Sequence, residues 1–177
     1  LLRFLSAVEA RALTFVYVSS DAVFSGARGG YVESDAPDAA TLYGRHLRRF
    51  EGEVKRRIRD HLIVRVSYLF GRTASHDDRR LEEAQRIIGS GRPFPRYVNV
   101  YKSPLPVADA ARETLSLVSR GVRGVVHLPG PRMSIHAFYV DLLARHGLQG
   151  SDVVATVAAP EDVDGFDTSL RTDLPSS

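Results

Sequence analysis

The sequence predicts an α/β fold, a doubly wound and largely parallel sheet with helices on both faces, and three observations carry that expectation. Continuous apolar runs such as FVYV and HLIVRVSYLF read as buried strands. Between them lie amphipathic stretches of roughly ten to fifteen residues, the crossover helices that parallel neighbours require. Gly, Pro and Asp punctuate the junctions. A chain of 177 residues suits one domain, or one with a small appendage. At 44% hydrophobic and 25% charged residues the composition is that of an ordinary soluble globular protein. The formal charge, 24 − 21 = +3, is too small to indicate nucleic-acid binding, although a pI near 9.4 permits anionic ligands. Cysteine is absent, which excludes disulfides, thiolate metal sites and thiol catalysis and fits the cytoplasm. No apolar run is long enough to span a membrane.

Taken in order, residues 1–13 carry Leu1, Leu5, Val8 and Ala12 at helical spacing, and TFVYVSS follows as a strand. From Asp21 to Thr41 the chain is rich in Gly, Asp and Pro and reads as a long functional loop. Residues 42–59 form a charged helix, and HLIVRVSYLFG is a second buried strand ending at Gly71. A helix over 78–89 closes at Gly89, and PFPRYVNVYKSP is irregular or extended. VADAARETLSLVSRG is a helix, RGVVHLPG a strand, and SIHAFYVDLLARHG a helix with Ser134 as N-cap and Gly147 as terminator. DVVATVAA is a last short strand before a polar tail. Ligands of open parallel sheets sit beyond the carboxyl ends of the strands, here after Val18 and after Tyr68.

The residues at those ends form a pattern. SSDAVFSG (19–26) follows the first strand, YVESDAP (31–37) sits in the long loop, and Tyr43-Gly44 opens a helix with Glu51 eight residues on. HLIVRVSYLFG then supplies the next strand. Together they resemble the extended short-chain dehydrogenase/reductase family, most of all its dTDP-4-dehydrorhamnose reductase branch, which also includes the regulatory beta subunit of methionine adenosyltransferase. SPLPVADAAR (103–112) and DTSLRTDL (167–174) extend the likeness towards the end of the chain. The resemblance implies a Rossmann-like sheet and the NADPH- or NADH-dependent reduction of a nucleotide-activated 4-keto sugar, with NADP or NAD as cofactor. It implies Tyr43 as general acid and Ser20 as hydrogen-bond donor to the carbonyl. Ser19, Tyr43 and Ser67 would contact the cofactor, and Asp21, Val23, Phe24, Tyr68 and Ser103 the nucleotide sugar. Residues 1–89 are then expected to be the second half of the dinucleotide-binding domain. Residues 90–177 would be mainly a substrate lobe, with 106–128 returning to the sheet. Neither nucleic acid nor a membrane is an expected partner, and a homo-oligomer is compatible with the pattern.

Two departures shape these expectations. The family's helix reads YxxxK, and four residues past Tyr43 stands Leu47. A slide of two residues would put Arg49 in the lysine slot, but the ungapped distance to HLIVR favours Leu47 as the equivalent. The alternative function is therefore a non-catalytic, dinucleotide- or sugar-nucleotide-binding regulatory subunit. No GxxGxxG turn occurs in the chain, and the opening LLRFLSAVEA reads as a sequence entered midway, so a fragment of a longer protein is expected. GARGG follows no strand and opens no helix, and reads as a turn. His61, His127, His136 and His146 lack paired metal-ligand spacing and are read as structural, the basic helix face as solvated, and Phe94, Tyr97 and Tyr101 as hydrophobic lining.

Overall fold

The computed structural model describes residues 2–10, 13–73 and 78–173. Helices are α1 (Leu2–Glu9), α2 (Leu42–Arg57), α3 (Arg79–Gly89), α4 (Val107–Ser119) and α5 (Ile135–Arg145). Strands are β1 (Phe15–Ser20), β2 (His61–Phe70), β3 (Phe94–Tyr97), β4 (Tyr101–Lys102), β5 (Pro104–Pro106), β6 (Gly124–Leu128), β7 (Met133–Ser134) and β8 (Val153–Thr156).

β2 is central because it is the longest strand and is buried without a break from Leu62 to Ser67. β1 runs parallel along one side, with Phe15 opposite His61 and Ser20 opposite Val66. β6 runs parallel along the other, with Leu62 opposite Gly124 and Val66 opposite Leu128. Beyond Val66 the neighbour changes to β5, with a register shift between Ser67 and Leu69. Tyr68, at that shift, has φ +47°, a left-handed conformation that costs a bulky residue about 1–3 kcal/mol. Both faces are covered, as the alternation in sequence requires. Leu62, Val64 and Val66 pack with Ala110 and Leu117 of α4, and Ile63 packs with Leu5 of α1 and with Val54 of α2. The outer edge of β1 pairs with no strand among the described residues, and Val18 there is 54% exposed.

A second apolar cluster joins Ala84 of α3, Phe94 of β3, Phe138, Tyr139, Leu142 and Leu143 of α5 and Val153 of β8. β3 pairs with β8 in parallel, and β4 pairs with β7 antiparallel. The tail that reads as merely polar in sequence is interior from Asp167 to Leu170. Its groups are satisfied inside: the Asp167 N–H donates to the Gly26 carbonyl (2.9 Å), and the Gly30 N–H donates to Ser169 Oγ (2.9 Å). GARGG is therefore a seat for the tail.

One ionic cluster fixes α2 against the sheet. Arg65 of β2 and Glu51 of α2 are both almost wholly buried and meet at two points, Nη2 to Oε2 at 2.6 Å and Nε to Oε1 at 3.0 Å. Arg65 Nη1 donates to His127 Nε2 (3.2 Å), since a guanidinium cannot accept. That leaves the proton of His127 on Nδ1, facing the carbonyls of Tyr31 (3.1 Å) and Arg171 (3.0 Å). The histidine thus ties β6 to both the long loop and the tail, a structural role. Burial holds its pKa below the usual 6.5, against the opposing pull of Glu33 and with the help of Arg65. As pH falls below about 6.5 the unfolded chain gains a proton that folded His127 resists, so stability should fall with pH there. Urea titrations at pH 7.5 and pH 5.5 should show a smaller loss in His127→Gln than in the parent, and equal losses would remove His127 as the cause.

Candidate active site

The carboxyl end of β1 turns at once into a single 3-10 turn, Asp21–Val23, capped by Ser20, whose Oγ accepts from the Ala22 N–H (3.2 Å). The same hydroxyl donates to Asp21 Oδ1 (2.9 Å). Asp21 Oδ2 accepts from Ser67 Oγ (2.9 Å), Lys102 Nζ (2.9 Å) and Thr168 Oγ1 (2.5 Å). Four donors converge on this one buried carboxylate, so both its oxygens are hydrogen-bonded in the interior. Ser103 joins from β5's approach: its N–H donates to Ser67 Oγ (3.2 Å), and its Oγ is bonded to both the N–H and the carbonyl of Leu170. Ser20, Asp21, Ser67 and Ser103, scattered over more than eighty positions, thus form one polar hub.

Tyr43 reaches this region because α2 starts against the turn. Thr41 caps the helix by accepting from the Gly44 N–H (2.8 Å). A Cβ on Gly44 would lie 1.9 Å from the Ala22 carbonyl oxygen, so only glycine lets the first turn of α2 lie on the loop that follows Ser20. Gly44→Ala is expected to lower the unfolding free energy by about 1–3 kcal/mol through overpacking. A denaturant midpoint unchanged from the parent would mean that the contact is not tight in solution. Tyr43 itself is 62% exposed. Leu47, one turn on, is half-buried against Val23, Phe24, Tyr31 and Leu170, so α2 presents no cation from that position.

A cleft of about 440 Å³ opens beside Tyr43. It is lined by Thr41, Tyr43, the partly buried Lys102 and the buried Thr168, and the exposed Asp162 and Asp164 belong to its rim. That rim packs glycine against glycine, since a Cβ on Gly26 would lie 2.9 Å from the Gly165 Cα. Of the residues expected from sequence at the substrate, Phe24 lines the cleft, its ring stacked on Tyr31 at 4.2 Å. Val23 is wholly buried in the cluster beneath. Tyr68 turns towards the second cluster, edge-on to Phe138 at 5.1 Å and under the Arg80 guanidinium at 4.1 Å. Ser19 is buried, and its Oγ has no hydrogen-bond partner among the described residues. Lys102, Thr168 and the Asp162/Asp164 rim were not singled out from sequence. They lie 81 and more residues from Asp21, and no local spacing links them to it.

The family model described as the RmlD substrate binding domain matches residues 4–166. The chain belongs to that family. Among curated RmlD-like relatives, the probable low-salt glycan biosynthesis reductase Agl14 of Haloferax volcanii is 30% identical over 121 residues, covering 67% of this chain and 40% of that protein. Methionine adenosyltransferase 2 subunit beta of Danio rerio is 29% identical over 136 residues, covering 68% of this chain and 39% of that protein. The chain thus spans about 40% of the length of these relatives. A solved dTDP-4-dehydrorhamnose reductase from Bacillus anthracis, in complex with NADP, superposes with a TM-score of 0.81 at 22% identity, over 94% of this chain and 60% of that one. That likeness shows the fold, and it agrees with the parallel, doubly covered sheet expected from sequence.

Proposed function

We propose that this RmlD-family chain carries the substrate side of a nicotinamide-dependent reductase acting on a nucleotide-activated 4-keto sugar. The observation that carries the reading is that the exposed Tyr43 and Ala22, in the turn that Ser20 caps, line one cleft at the carboxyl edge of a parallel sheet. When bound, a nicotinamide would supply a hydride to the ketone carbon. The carbonyl oxygen would take the phenolic proton of Tyr43, and the phenolate would be reprotonated from water. Ser20 would donate to the same oxygen by turning its O–H away from Asp21, which keeps three other donors and so is not left bare. The unpartnered Ser19 hydroxyl at the end of β1 suits a polar group brought by a ligand, and with Tyr43 it would hold the nicotinamide end of NADP or NAD. The chain itself has no GxxGxxG turn, so its residues would hold only that end.

Leu47 favours a second reading, a subunit that binds the same ligands without turning them over; a relative from Danio rerio is named as a subunit, methionine adenosyltransferase 2 subunit beta. The retained phenol and serine weigh against it. Consumption of NADPH or NADH by the full-length protein, offered dTDP-4-dehydrorhamnose, tests the proposal. Turnover supports the reductase, whereas binding of nucleotide sugar without turnover supports the regulatory reading.

A further inference from the structure

Resting on the reading above, the geometry points to Lys102 as the cation of this cleft, supplying from β4 the ammonium that α2 lacks, and donating to the ligand oxygen that Tyr43 also serves. Leu47 cannot be that group, because its side chain is committed to the apolar cluster under the loop. Lys102 and Tyr43 line the same cleft. The ammonium is held from behind by Asp21 Oδ2 at 2.9 Å and Thr168 Oγ1 at 2.6 Å, which uses two of its three N–H donors. The Lys102 side chain is 24% exposed and lines the cleft, while Asp21 is 6% exposed and does not. A purely structural pair would have no need of a lysine in the cleft wall, where an apolar residue would fill the site with less desolvation.

The arrangement also couples the two donors of the proposed site. Ser20 and Lys102 share the Asp21 carboxylate, one on each oxygen. Asp21 therefore ties both in place, and a carbonyl or oxyanion in the cleft meets in Lys102 a charge-assisted donor arranged in advance. A uniformly bound diphosphate would be a less fitting target, because Asp162 and Asp164 stand on the rim of the same cleft. The sugar oxygen is the better match.

The test uses the full-length protein and four forms: parent, Lys102→Met, Lys102→Arg, and the double variant Asp21→Asn with Lys102→Met, in which no charge is left unpaired. Thermal melts establish that each is folded. The expected result is a loss of at least 100-fold in kcat/KM for Lys102→Met and for the double variant, and at least tenfold recovery in Lys102→Arg. A folded double variant with kcat/KM within threefold of the parent overturns the assignment. Should the parent show no turnover, the reductase reading fails separately, and calorimetric titration with dTDP-rhamnose then decides on Lys102. A tenfold weaker Kd in the folded double variant upholds it, and an unchanged Kd overturns it.

Discussion

Glu51→Gln is expected to cost about 3–5 kcal/mol of stability, because it leaves the Arg65 guanidinium buried without its counter-charge. Both side chains are at most 2% exposed, and each guanidinium–carboxylate contact is a charge-assisted hydrogen bond of 2.6 or 3.0 Å. The third contact of Arg65, to a neutral His127, cannot offset a charge. The ion pairs of Glu53 with Arg56 and Arg57 lie nearer the surface on the same helix and should matter far less, since water screens them. The contrast is open to measurement in urea: the Glu51→Gln midpoint should fall steeply while that of Glu53→Gln barely moves. Replacing the pair together, Glu51→Leu with Arg65→Met, should recover much of the loss. A Glu51→Gln shift below about 1 kcal/mol would mean that water reaches Arg65 and the pair is not sealed. Because Glu51 lies just over two helical turns from Tyr43, the same variant should also loosen the placement of the phenol over the cleft.

Tyr43→Phe is expected to lower kcat by about 10²–10⁴-fold while leaving nucleotide-sugar binding nearly unchanged. The phenol is exposed, so it can give up a proton to a sugar oxygen and be reprotonated from solvent, whereas the Ser20 hydroxyl is bonded inward and Asp21 is an acceptor. The substitution removes only an exposed hydroxyl, so the melt of the variant should match the parent's. Ser20→Ala should cost less in rate but more in structure, since Ser20 also caps the turn that seats α2. Retention of kcat within threefold in Tyr43→Phe would remove Tyr43 from the role of acid and leave Lys102 as the proton source to examine.

Much of this protein is decided locally. The β-branched and aromatic runs read as strands, the amphipathic helical spacing between them makes helices, and parallel pairing with both faces covered follows from connections of that length. The N-cap Ser134, and the pairing of Tyr43 with Gly44 at a helix start, likewise act within a few residues and are legible as such. The family resemblance rests on those same short stretches, which is why the match over residues 4–166 agrees with it. What the sequence does not contain is the direction in which each side chain spends its bonds. Thr168 is an ordinary polar residue in one dimension. Its role comes from the tail folding back under the GARGG loop, which brings position 168 onto Asp21, 147 residues away. Tyr68 sits at the expected ligand edge, yet the register shift at the end of β2 turns its ring into the second cluster instead. Lys102 becomes the cleft's ammonium for the same kind of reason. Periodicity and capping are short-range consequences of backbone geometry, whereas a buried carboxylate collects its partners from whichever segments the packed core brings within about 3 Å.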